Sequence, residues 1–84
     1  MMRMNRYQAM TLRIRDILRQ RGSTLCQPLE AVDDVRELPR ALREEIVSEL
    51  VNEFSAKGLR EDDEPNKYGL EIEMLTDACG LARD

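Results

Sequence analysis

Histidine and tryptophan are absent from this 84-residue chain, which has only two tyrosines and one phenylalanine. Without histidine the chain lacks the most common general base near neutral pH and the imidazole ligands of many zinc sites. The glycine-rich motifs that bind nucleotide phosphates are missing as well. We therefore expect a protein that is not an enzyme and holds no metal or cofactor, with a core of aliphatic and methionine side chains.

Cysteine is also scarce, since Cys26 and Cys79 are the only two. They lie too far apart in the sequence to suggest a disulfide framework, and no CxxC motif is present. Reduced thiols are the expectation, and they favour a cytoplasmic location. No apolar run approaches the roughly 18 residues of a transmembrane helix, so we expect no membrane partner.

Charge is unevenly distributed along the chain, whose net charge is −4. Residues 1–21 hold six of the 13 basic residues and one of the 17 acidic residues. The two parts are electrostatically complementary, so they are expected to pair within one chain or between two copies. The short length predicts one helical domain, residues 1–84.

Apolar side chains recur at helical spacing, and β-strand alternation is weak. The sequence predicts an all-α fold, a small bundle of helices. Proline and glycine mark the ends of the third helix, and Asn66 is a predicted N-cap for the fourth. The predicted elements are three main helices, at about 3–21, 39–57 and 67–79, with a short helical turn near 28–36 that begins at Pro28.

The third predicted helix has an unusually wide apolar face. Six side chains span close to half its circumference, which is more than one contact stripe needs. We expect this helix to be contacted from two sides, and the width favours self-association into a homo-oligomer. The six are Leu42, Ile46, Val47, Leu50, Val51 and Phe54.

An acidic run at residues 61–64 is the nearest feature to a metal-binding motif. When an EF-hand register starts at Asp62, Lys67 falls where the calcium loop requires glycine. Lysine neither permits the sharp turn nor tolerates the cation. The run is better interpreted as the connector between the third and fourth helices, with its acids near a helix N-terminus.

A row of glutamates at i, i+4 spacing is the main candidate for a binding surface. Like charges at this spacing disfavour an isolated helix, so an arginine-bearing surface is expected to neutralise Glu45, Glu49 and Glu53. That surface is either the arginine-rich first helix or another, basic protein. We expect a small acidic protein–protein interaction or regulatory module of bacterial or phage type, such as an inhibitor or immunity-like protein.

The alternative function is a dimeric nucleic-acid-binding regulator. In that hypothesis arginines of the first helix neutralise phosphates, as basic helices do in many regulators. The opposing interpretation is that they border an apolar face and pair with acids of neighbouring helices. The residues concerned are Arg6, Arg13, Arg15 and Arg19.

Two charged residues, Arg43 and Glu71, fall inside predicted apolar faces. If the third and fourth helices form an antiparallel hairpin, these residues lie at opposite ends of it. The sequence therefore predicts no direct bridge between them. Arg43 is instead expected beside the C-terminal carbonyls of the fourth helix, where a cation is stabilised.

Overall fold

The computed structural model describes residues 5–81, and their fold is all-α, as predicted. Within that range there is no strand, only an isolated bridge between Leu59 and Pro65. Residues 3 and 4 of the predicted first helix lie outside the described residues. The elements are α1 (Arg6–Gln20), α2 (Cys26–Glu30), a 3-10 turn (Val35–Glu37), α3 (Arg40–Lys57) and α4 (Lys67–Ala78).

Both ends of α1 are closed by local hydrogen bonds. Asn5 and Gln8 form a capping box, in which each side chain accepts a bond from the other's backbone N–H, at 2.9 and 3.0 Å. At the other end Gly22 has a φ of 74°, and the Ser23 N–H donates to the Leu18 carbonyl at 2.9 Å. This closing geometry is a Schellman motif, which favours glycine at the left-handed position.

The segment between α1 and α3 differs from the prediction. One helical turn near 28–36 was expected, but the chain forms α2 and then a separate 3-10 turn. Pro28 is the third residue of α2 rather than the first, a position where its missing N–H removes no helical hydrogen bond. Asp34 stops any continuation because its side chain accepts a bond from the Arg36 N–H at 2.9 Å, which caps the second piece.

Helices α3 and α4 form the predicted hairpin. Pro39, predicted as the first residue of this helix, is instead the N-cap of α3, and Gly58 follows its last residue as predicted. The Asn66 side chain caps α4 by accepting from the Gly69 N–H at 2.8 Å, as predicted. Its amide also donates to the Lys57 carbonyl at 2.9 Å, so one residue fastens both helix ends.

One apolar cluster joins every element. α1 contributes Ile14, Ile17 and Leu18, and Met10 packs at the edge. The remaining buried members are Leu29, Val35, Leu38, Ile46, Leu50, Ile72, Leu75 and Cys79.

A buried threonine ties the 3-10 turn to α1. The Thr11 hydroxyl donates to the Tyr7 carbonyl at 2.7 Å and accepts from the Val35 N–H at 2.8 Å. Both polar groups are therefore satisfied inside the protein, which removes the cost of burying them. The sequence pattern gave no sign of this contact.

Candidate interaction surfaces

The glutamate row on α3 is divided between the interior and the surface. Arg21, which follows α1, donates through Nε to Glu49 at 2.9 Å and through Nη1 to Glu53 at 2.8 Å. Glu53 is only 3% exposed, whereas Glu45 is exposed to solvent. The arginine that neutralises this end of the row thus comes from the same chain. Contact of the three glutamates with a partner stays a prediction.

Glu53 has partners on both of its carboxylate oxygens. The Tyr68 hydroxyl donates to Oε2 at 2.6 Å, and the Lys57 ammonium lies 3.9 Å from the same oxygen. Burial opposes ionisation, but the bonds from Tyr68 and Arg21 outweigh it and hold the pKa of Glu53 below its usual value. Burial and the bond to Glu53 raise the pKa of Tyr68 to about 12. This cluster fastens the end of α1 to α3 and α4.

The arginines predicted to contact nucleic acid are dispersed around α1. Arg13 makes a bidentate pair with Glu71 on α4, with both distances at 3.0 Å, and Arg19 pairs with Glu30 on α2 at 2.8 Å. Arg6 lies over the Tyr7 ring, 5.6 Å from its centroid. The Nε of Arg15 is buried and has no hydrogen-bond partner in the described part of the chain. Arg13 and Arg19 thus reach different helices, and the nucleic-acid function stays a prediction.

The structure confirms the prediction for Arg43 and Glu71. Arg43 donates to the Cys79 carbonyl at 2.9 Å, at the end of α4, and to the Leu38 carbonyl at 3.0 Å. Glu71 pairs with Arg13 instead. The cation therefore lies where the α4 dipole is negative, as an antiparallel hairpin requires.

The acidic run at residues 61–64 is an exposed turn. The Arg60 N–H donates to the Glu64 carbonyl at 2.7 Å, and the Asp63 N–H donates to the Arg60 carbonyl at 3.0 Å. Asp63 adopts the left-handed conformation with a φ of 65°, which is typical of the last residue in a three-residue loop. Within residues 5–81 no three His, Cys, Asp or Glu side chains are grouped to hold a metal ion.

A cleft of about 610 Å³ opens between the first turns of α1 and the end of α4. Arg36 stacks on Tyr7 with its guanidinium carbon 3.5 Å from the ring centroid, and Asp34 holds that guanidinium through Nε and Nη2. Met74 and Asp77 line the opposite wall. The cleft mixes apolar surface with both signs of charge, so it shows no preference for one ligand class.

A second concavity, which we name the α3–α4 groove, is about 340 Å³ in volume. Val51 is the most exposed large apolar side chain on α3, at 50%. α4 covers the neighbouring Phe54 only in part. The groove therefore offers apolar surface between two helices. Its lining residues are Val51, Phe54, Ile72, Glu73, Thr76 and Asp77.

The sequence indicated the α3 wall of this groove but not the α4 wall. The wide apolar face of α3 indicated that some of its side chains exceed what one neighbour covers. Glu73, Thr76 and Asp77 were missed because a polar edge on a helix usually means solvent. Only the hairpin geometry places that edge beside Val51.

Among residues 5–81, no helix combines the length and apolar character needed to cross a membrane. No family model matches the sequence, and neither a curated protein nor a solved structure matches it.

Proposed function

We propose that this chain is a small, non-catalytic protein–protein interaction module whose partner docks in the α3–α4 groove. The observation that carries the proposal is the half-exposed Val51, beside Phe54 and Ile72, in a concavity between two helices. Concave apolar surface between helices is a common location for binding.

Docking would complete the coverage of α3. Within the chain α4 packs along one side of this helix, and Val51 lies at the margin of that contact. Burial of apolar surface contributes about 25 cal/mol per Å². A partner that covers Val51 and Phe54 therefore gains affinity by burying apolar surface that is exposed to solvent in the free chain. A domain of this length buries only a modest share of its surface alone, so such a partner would also stabilise it.

The cytoplasm is the location proposed for this module, and an inhibitor or immunity-type protein is the functional class proposed for it. Cys26 and Cys79 are both unpaired, as expected in a reducing compartment.

Site-specific photocrosslinking in the expressing cell tests the proposal. A photoreactive phenylalanine analogue replaces Val51 in one variant and Leu70 in a control variant. Leu70 is matched in exposure, at 56%, but it does not line the groove. We expect discrete crosslinked species of higher mass from position 51 and none from position 70.

Three results would count against this function. Crosslinks that are absent at position 51, or identical at both positions, would mean that the groove has no dedicated occupant. Products that contain only this chain would assign the groove to self-association, the homo-oligomer expected from the sequence.

A further inference from the structure

The α3–α4 groove is acidic at its polar edge. Glu73 and Asp77 are its only charged lining residues, and both are exposed. Neither has an ion-pair partner in the described residues, unlike Glu49, Glu53 and Glu71. Two carboxylates thus border apolar surface without an ion pair in the described residues, although Asp77 also lines the first cleft with Arg36.

The shape of the groove suits a helix. It lies between antiparallel helices of 18 and 12 residues, α3 and α4. Its lining on α4 runs from Ile72 to Asp77, which is about 9 Å of helix and faces close to two turns of a third helix. Amphipathic helices bind such grooves by placing an apolar face on the floor, with anchors at i, i+3 or i+4 and i+7.

We propose that the occupant is a basic amphipathic helix of another protein. Its apolar face contacts Val51 and Phe54 above the buried Ile72, and its lysine or arginine side chains lie beside Glu73 and Asp77. This inference rests on the proposed function and adds the chemistry of the partner. Complementary charge at the rim selects the partner and speeds its association more than it adds affinity.

A second copy of the chain fits the groove less well. A symmetric dimer through this face supplies no cation to the acidic edge, because the charged lining residues of both copies are Glu73 and Asp77 alone. The arginine-rich α1 of another copy is also a poor occupant, because Arg13 and Arg19 pair with acids of their own chain. Its apolar side chains Ile14, Ile17 and Leu18 are buried in the core.

Two synthetic helical peptides with the same leucine face test the inference. One carries lysines along both edges of that face, and the other carries glutamates at the same positions. We expect the lysine peptide to bind roughly tenfold tighter by calorimetry, since it can form two rim ion pairs. This preference is expected to shrink in 1 M salt because exposed pairs are screened.

Variants locate the site of binding. The double variant Glu73→Gln, Asp77→Asn is expected to remove most of the preference for the lysine peptide, while Val51→Ser weakens its binding. Leu70→Ser is the matched control and is expected to leave binding unchanged. Amide chemical-shift changes should centre on Val51, Phe54 and Thr76.

Equal binding of the two peptides, tighter binding of the glutamate peptide, or no binding of either would overturn the inference. Discrete heterologous crosslinks at position 51 would still support the proposed function in that case. Sedimentation of the protein alone provides a further check. If the protein is a dimer and Val51→Ser dissociates it, the occupant of the groove is a second copy of the chain, and the proposal of a basic helix is refuted.

Discussion

Glu53 is the residue whose environment differs most from its sequence pattern. It belongs to a regular row of glutamates, yet it is 3% exposed and bonded to Arg21 and Tyr68. A buried carboxylate is tolerated when it is paired and hydrogen-bonded, and removing one partner leaves a costly charge. This cluster therefore joins the end of α1 to α3 and α4.

The bond between Tyr68 and Glu53 predicts an unusual tyrosine titration. In a Tyr7→Phe background Tyr68 is the only tyrosine, so absorbance near 295 nm reports its ionisation alone. Because burial and the bond to Glu53 raise the pKa of Tyr68, we expect a midpoint at about 12. Circular dichroism at each pH verifies that the helices remain folded.

The control for this titration is Glu53→Gln in the same background. It removes the negative charge beside the hydroxyl, and the midpoint should fall toward the ordinary tyrosine value of about 10. A midpoint near 10 in the folded parent would show that the hydroxyl does not bond to Glu53.

Sequence pattern could not separate Glu53 from Glu45. Both are glutamates on one helix at the same spacing, and helical periodicity places them on the same side. The difference comes from which neighbours pack there, since Arg21 and Tyr68 reach Glu53 and neither bonds to Glu45. Thr11 was missed for the same reason, because its partner Val35 belongs to another segment.

At the scale of the element, local chemistry decides how much is predictable. The ends of α3 and α4 follow from Pro39, Gly58 and Asn66, whose effects involve backbone groups a few residues away. The segment between α1 and α3 was only partly predicted. Its two short helical pieces depend on packing against α1 more than on their own propensity.

The close approach of α3 and α4 predicts that Gly69→Ala is destabilising. A Cβ at position 69 would lie 2.1 Å from the Gly58 carbonyl oxygen and 3.1 Å from the Phe54 ring. Alanine is favoured over glycine in a helix by about 1 kcal/mol, but backbone overlap of this kind outweighs it. We expect the free energy of unfolding, measured with urea, to fall by about 1–3 kcal/mol.

An exposed position on α4 supplies the comparison. Glu73→Ala changes helix propensity without a backbone contact and should alter stability by less than about 0.5 kcal/mol. A Gly69→Ala variant as stable as the parent would show that the two helix ends do not touch.

At the scale of the whole molecule, the uneven charge is balanced within one chain. Arginines in and after α1 pair with acids on α2, α3 and α4. The distribution of charge along the sequence predicted that residues 1–21 and the rest of the chain are electrostatically complementary. It left open whether the ion pairs form within one chain or between two copies. Exposed pairs such as Arg19 with Glu30 each contribute little to the free energy of unfolding.

Stability is predicted to decline in acid. The pKa of Glu53 and that of Asp34, which bonds to Arg36, are both lowered in the folded state. Groups of this kind stabilise the fold above their unfolded pKa, about 4, and lose that contribution as the pH falls through the lower folded value. We expect the free energy of unfolding to drop between pH 5 and pH 2, as measured by urea titrations at each pH.

Glu53→Gln isolates the share of one carboxylate in this decline. The variant should be less stable than the parent at pH 7, and its stability should fall less steeply below pH 5. Parallel pH profiles for the two proteins would mean that Glu53 ionises in the fold as it does in the unfolded chain.

The connector between α3 and α4 also bears on the order of folding. Asn66 bonds to Lys57 only nine residues away, whereas the pair of Arg13 and Glu71 closes 58 residues and that of Arg21 and Glu53 closes 32. Short loops lose less chain entropy on closing, and local contacts form faster. We expect the α3–α4 hairpin to form first. Its apolar side chains Ile72 and Leu75 then provide the surface against which α1 packs last.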